Sequence, residues 1–143
     1  VESKEKIMKQ KILFICTHNA ARSQMAEGIV NARCSDRFEA FSAGTEQTVV
    51  NPFAVEALGE IGIDISHHRS KSVEEFRGQQ FDVVVTVCDN ARETCPFFPG
   101  KRVIHKSFED PAKSDGNYKA KLEKFREIRD QIGEWLHEAF GTS

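Results

Sequence analysis

The sequence has no long apolar run. Its longest, Ile12 to Ile15 and Val83 to Val85, fall far short of the roughly 20 residues that a membrane-spanning helix needs, so no membrane partner is expected. Nor is one sign of charge in excess: 20 Lys plus Arg stand against 22 Asp plus Glu, a formal net charge of −2. That near-balance does not point to a general nucleic-acid binder and leaves room for a local cationic site. No apolar run with a cleavage site follows the N-terminus, so a reducing, cytoplasmic setting is expected. Cysteine is scarce: Cys16, Cys34, Cys88 and Cys95 are the only four. Four are too few for a disulfide scaffold, and in a reducing compartment they serve a structural metal, fill a core or carry redox chemistry. Repeats, low-complexity segments and linkers are also missing. With roughly 100–200 residues to a domain, a single domain over 1–143 is expected, with approximately 1–9 as a flexible lead-in.

What is present alternates strands with helices. Lys11 to Cys16 is apolar almost throughout, the signature of a strand covered on both faces. Thr17 to Arg22 is small and polar and reads as a loop, with Ser23 placed to cap the next helix, whose stripe is Met25, Ala26, Ile29 and Val30. Arg37 to Ser42 is a second strand, ended by Ala43-Gly44. Asn51-Pro52 opens a second helix, with Asn as cap and Pro at the first helical position. A short helix between Ser66 and Gly78 is anchored by Val73 and Phe76. Phe81 to Val87 is the strongest strand, Arg102 to His105 a fourth, and Tyr118 to Phe140 a long closing helix. The class is α/β: a doubly wound, mostly parallel four-stranded sheet flanked by helices.

The first strand-to-helix loop is Cys16-Thr17-His18-Asn19-Ala20-Ala21-Arg22-Ser23. In doubly wound folds, ligands bind at such loops. Backbone N–H groups of the loop and first helical turn can converge on an anion, and Arg22 adds a planar fork for two of its oxygens. The same positive field favours Cys16 as thiolate, under the central atom of a bound tetrahedral oxyanion. Asn19 either holds the loop or merely tolerates a left-handed backbone. Ser23 either donates to the thiolate or only caps the helix.

Cys88 and Cys95, seven positions apart, follow the strongest strand on the same sheet edge. The spacing does not match a two-residue zinc knuckle, and two ligands are too few for a metal. Three thiols on one edge permit a relay, against the plainer reading of one packed cysteine and one incidental thiol. Cys34 takes no chemical role. Asp110, followed by Pro111, is either a turn former or, if its loop folds over the sheet edge, a proton donor to a leaving oxygen.

Together these residues resemble the thioredoxin-coupled arsenate reductases built on the low-molecular-weight protein tyrosine phosphatase fold. The resemblance runs over nearly the whole chain. It rests on Cys16 through Ser23, Gln24 to Gly28, Ser42-Ala-Gly44, Asn51-Pro52, Val84 to Cys88, Cys95-Pro96 and Asp110-Pro111-Ala112. It implies reduction of arsenate to arsenite for arsenic detoxification, with Cys16 as nucleophile. Residues Thr17 through Ser23, among them Arg22, would bind the oxyanion, Asn19 would maintain the loop, and Asp110 would be the general acid. Cys88 would attack the Cys16 adduct to leave Cys16–Cys88, and Cys95 would exchange to give Cys88–Cys95. Thioredoxin, rather than glutaredoxin, would regenerate the thiols of a monomer that holds no tightly bound cofactor or metal.

Two departures stand out. Relatives often carry glycine and a further cysteine where this chain has His18 and Ala21. Some bind potassium through residues matching Asn19, Glu27, Ser42 and an aspartate. The last is Lys71 here, and an ammonium has no lone pair for a cation, so Lys71 is expected to replace the ion beside Glu27. Two alternatives remain: a phosphomonoesterase, for which the single tyrosine, Tyr118, offers no aromatic wall and which has no need of Cys88 and Cys95, and a non-enzymatic arsenical or redox sensor.

Overall fold

The protein is represented by a computed structural model that describes residues 9–89 and 97–142. The expected lead-in before Lys9 lies outside the described residues, as does Cys95. Four parallel strands form one sheet in the order β2-β1-β3-β4: β1 is Gln10–Cys16, β2 Phe38–Gly44, β3 Val83–Thr86 and β4 Arg102–His105. The chain steps from β1 to one side for β2 and to the other for β3. The C-terminal end of β1 is therefore the switch point at which such sheets open a crevice.

Residues Ile12 to Cys16 are all buried because side chains alternate between two filled faces. Ile12, Phe14 and Cys16 face a layer that includes α1 (Arg22–Arg33), α2 (Pro52–Gly59) and α3 (Tyr118–Phe140). Leu13 and Ile15 face a smaller cluster with Val73, Phe76, Phe81, Val84 and Phe98. The long helix α3 buries Leu122, Phe125, Ile128, Ile132, Leu136 and Phe140 at helical spacing. Gly133 lies inside it without breaking it, and Gly141, at φ 69°, ends it in the left-handed conformation. Among the described residues, no helix is long and apolar enough to cross a membrane.

Three boundaries differ from the sequence reading. Ala43 and Gly44 do not end β2 but are its last two residues, paired with Ile15 and Cys16. The third strand is shorter than Phe81 to Val87, although Val87 N still donates to Ile15 O at 2.8 Å. Ser23 does not cap α1: the helix starts at Arg22, Ala21 is the cap without a side-chain bond, and the Ser23 hydroxyl is committed elsewhere. Asn51 caps α2 as expected, its Oδ1 accepting from Phe53 N at 2.9 Å.

Candidate active site

Cys16 ends β1, buried, and the carbonyls of the loop behind it are all engaged, by segments across the fold or by the first turn of α1. Thr17 O accepts from Glu46 N at 2.9 Å, Ala20 O from Asn51 N at 2.8 Å and Ala21 O from Met25 N at 2.8 Å. His18 O accepts from Ser70 Oγ at 2.9 Å and Asn19 O from Gln24 Nε2 at 3.2 Å. In a trans peptide the N–H points opposite to the carbonyl. Five successive carbonyls so engaged leave the N–H groups of residues 18–22 on the opposite side, toward the inside of the loop. Such a cradle suits an anion, and the N-terminus of α1 adds its dipole.

Buried polar side chains hold this shape. Asn19, at φ 53°, takes the left-handed conformation that asparagine tolerates. Its Oδ1 accepts from Lys71 N at 2.8 Å and from Gln24 Nε2 at 2.8 Å. Its Nδ2 donates to Ser23 Oγ at 2.7 Å. Ser23 Oγ lies 2.9 Å from Cys16 Sγ. Ser23 Oγ accepts from Asn19, and when Cys16 is a thiolate the serine hydroxyl is the only one of the two that can donate across the contact. Gln24 Nε2 also reaches Arg69 O at 2.9 Å, so its Oε1 is the acceptor for His68 Nδ1, also at 2.9 Å. Burial pushes the His68 ring below its usual titration range, against the pull of Glu27.

Arg22 is nearly as buried as the cysteine. Its Nη1 donates to Phe108 O at 3.2 Å, and its Nη2 lies 3.6 Å from Asp110 Oδ2. These contacts bring the acidic loop over the sheet edge. Asp110 Oδ1 meanwhile accepts from Ala112 N at 3.0 Å, so the residue forms the turn while its other oxygen faces Arg22. Cys88 enters the same corner from β3, fully buried, its Sγ 3.9 Å from Ile15 O. Cys88 is disulfide-bonded, while Cys16 and Cys34 are free thiols. Cys34 lies apart from this corner, with Arg37 Nη2 3.6 Å from its sulfur, and burial raises the pKa of its thiol.

The loop thus brings a buried cysteine, a buried arginine and an aspartate together at one end of the sheet. Residues 11–141 match the family described as low molecular weight phosphotyrosine protein phosphatase. The chain belongs to that family. It is 45% identical to an arsenate reductase of Halalkalibacterium halodurans over 126 residues, 87% of this chain and 91% of that one. Among solved structures, it resembles an arsenate reductase in the phosphate binding state at a TM-score of 0.78 and 32% identity, over 92% of this chain and 95% of that one. It also resembles a thioredoxin-dependent arsenate reductase of Corynebacterium glutamicum at a TM-score of 0.65 and 28% identity, over 94% of this chain and 64% of that one.

Two further contacts frame the loop. His18 Nε2 meets Glu46 Oε1 at 3.0 Å, on the exposed side of the cradle. Behind the loop, Lys71 Nζ lies 3.5 Å from Glu27 Oε1 and 3.5 Å from Ser42 Oγ, and the Ser42 hydroxyl donates to Glu27 Oε1 at 2.5 Å. Both side chains of this ion pair are largely shielded from solvent, at 13% and 14% exposure. Sequence reasoning gave no role to Gln24, His68 or Ser70. The usable signal was a glutamine in the first turn of α1, just before the apolar stripe. A buried amide there has to be satisfied by distant groups.

Proposed function

We propose that the protein reduces arsenate to arsenite through three thiols, as a monomer in which residues 1–143 act as one catalytic unit in the cytoplasm. Arsenate sits in the cradle, held by the loop N–H groups of residues 18–22 and the Arg22 fork. The Cys16 thiolate attacks arsenic, an S–As bond forms, and one oxygen leaves as water with a proton from Asp110. Cys88 then attacks Cys16 Sγ. The S–As electron pair passes to arsenic, arsenite departs, and a Cys16–Cys88 disulfide remains. Cys95 attacks Cys88, giving Cys88–Cys95 and freeing Cys16. A thioredoxin dithiol reduces that bond and is itself oxidised to a disulfide. The observation that carries this reading is a buried, disulfide-bonded Cys88 whose sulfur lies 3.9 Å from Ile15 O, the residue before the free thiol of Cys16, as expected once such a relay has run. Ester hydrolysis uses Cys16, Arg22 and Asp110 and gives Cys88 nothing to do, so phosphatase action is expected only as a weak side activity.

The test is turnover with thioredoxin, thioredoxin reductase and NADPH. NADPH oxidation should match arsenite formed, one for one, and exceed hydrolysis of p-nitrophenyl phosphate by the same preparation. Phosphate ester hydrolysis without arsenate-dependent NADPH oxidation would refute the proposal.

The assignment of Asp110 gives a separate expectation. Asp110→Asn keeps the Ala112 N contact but loses the proton, so adduct formation should slow by about 10²–10⁴-fold while oxyanion affinity changes little. Rapid-quench kinetics resolves the step. An unchanged rate would leave Asp110 as a turn former.

Lys71 stands where a bound cation would sit against Glu27 and Ser42, supplying that charge from within the chain. Exchanging potassium for sodium at constant ionic strength should therefore leave the Tm and the arsenate kinetics unchanged. Lys71→Asp should gain a potassium-selective response. Saturable stabilisation of the wild type by potassium alone would contradict this placement.

A further inference from the structure

We propose that Gln24 is a positioning residue for the nucleophile, holding Asn19 so that the Ser23 hydroxyl is left to donate to the Cys16 thiolate. The inference rests on the role given to Cys16 above. Gln24 lies in the first turn of α1 and is fully buried. A buried amide is costly unless its groups are partnered, and both ends of this one are. Its Nε2 reaches Asn19 Oδ1 at 2.8 Å, Arg69 O at 2.9 Å and, at the longer distance of 3.2 Å, Asn19 O. Its Oε1 lies 2.9 Å from His68 Nδ1.

Backbone groups fix the direction of the links. Arg69 O can only accept, so the Gln24 nitrogen faces it and the Gln24 oxygen faces His68. Lys71 N can only donate, so the Asn19 oxygen faces it. Asn19 Nδ2 is thereby turned to Ser23 Oγ at 2.7 Å, and Ser23 Oγ lies 2.9 Å from Cys16 Sγ. The hydrogen bonds run head to tail from Gln24 through Asn19 and Ser23 to the sulfur. Each donor points along the chain toward the negative charge of the thiolate. Hydrogen bonds aligned in this way polarise one another in a low-dielectric interior.

Gln24 acts on Asn19 twice. It donates to Oδ1 directly. By gripping Arg69 O it also steadies the stretch whose Lys71 N–H is the other donor to Oδ1. The position therefore calls for donors and an acceptor on one head group. A carboxylate would bring no donor and an ammonium no acceptor. Gln24 touches neither the sulfur nor the oxyanion loop's inward N–H groups, so its effect on the nucleophile passes through Asn19 and Ser23.

The test alkylates the fully reduced chain with iodoacetamide across a pH series and follows Cys16 by peptide mass spectrometry, which needs neither arsenate nor a reductant protein. Gln24→Met should move the midpoint of Cys16 alkylation upward by about half a unit to one unit, part of the roughly one to two units that a whole hydrogen bond to a charged group is worth. On a Ser23→Ala background the same substitution should move the midpoint by less than about 0.3 unit, because the route to the sulfur is already cut. Gln24→Glu, close in size and still an acceptor for His68, serves if the methionine variant does not fold. Its charge acts on both backgrounds, so the difference between the two shifts isolates the part that passes through Ser23, and that difference should again be about half a unit or more. Equal shifts on the two backgrounds would overturn the proposal, since Gln24 would then act by packing or charge alone. So would an unchanged midpoint in the otherwise wild-type chain. Absence of arsenate reduction by the wild type is a separate failure: it would refute the proposed function and leave the alkylation comparison readable.

Discussion

Cys16→Ser is expected to lower arsenate reduction by on the order of 10⁴-fold or more, the scale on which loss of a catalytic nucleophile acts. The loss has two causes. A serine hydroxyl is a far weaker nucleophile than a thiolate, and neither Ser23 nor Arg22 is a base that could activate it. An arsenate ester on serine would also be a dead end, because Cys88 can form a disulfide only with sulfur. Binding should survive. The carbonyls of Thr17 to Ala21 keep their partners, so the N–H groups of residues 18–22 still face inward. Titration with phosphate should therefore give an affinity close to wild type, while single-turnover formation of arsenite becomes undetectable. A collapse of phosphate affinity together with activity would show that the sulfur shapes the cradle, contrary to the account.

Gly44→Ala should damage the same loop from beneath. A Cβ on Gly44 would lie 2.6 Å from Thr17 O, 2.8 Å from Asn19 N and 2.8 Å from Cys16 O. All three are backbone atoms of the loop, so no side chain can rotate away. Gly44 is also paired with Cys16 in the sheet, and its N–H donates to Lys71 O at 2.9 Å, so β2 cannot yield easily either. Overpacking of this kind costs about 1–3 kcal/mol, equivalent to a fall in Tm of about 3–15 °C for a chain of this size. Activity should fall further than stability. Any relief of the clash has to move Asn19 N, one of the inward-facing donors. Calorimetry and arsenate kinetics on one preparation would check both. A variant with wild-type Tm and kcat/KM would mean that the loop is not held as tightly as these distances require.

The sequence announced the parts of this site that depend on local chemistry. An unbroken apolar run marked β1, Asn51-Pro52 marked the start of α2, and Cys16 with Arg22 marked the loop between strand and helix. Boundaries were less legible where pairing rather than composition decides them. Ala43-Gly44 looks like a strand stop, yet both residues extend the ladder, because only glycine lets β2 pass beneath the loop. Ser23 has the ordinary look of a helix cap. Its actual role follows from Asn19 and Cys16 converging on one hydroxyl. His68 and Ser70 were silent because their partners Gln24 and His18 lie 44 and 52 positions away along the chain, separations to which no periodicity points. The Lys71–Glu27 contact was expected only through resemblance to the family. Spacing alone gives no reason for that lysine to turn toward α1.

Disulfide mapping after one exposure to arsenate tests the relay most directly. Fully reduced protein would be given a single equivalent of arsenate without reductant, quenched in acid and mapped by non-reducing peptide mass spectrometry, for the wild type and for Cys95→Ser. The account predicts Cys88–Cys95 in the wild type. In Cys95→Ser it predicts Cys16–Cys88, with one equivalent of arsenite released in each case. Arsenite released without a disulfide at Cys88, or a Cys95→Ser variant that turns over repeatedly with thioredoxin, would contradict it.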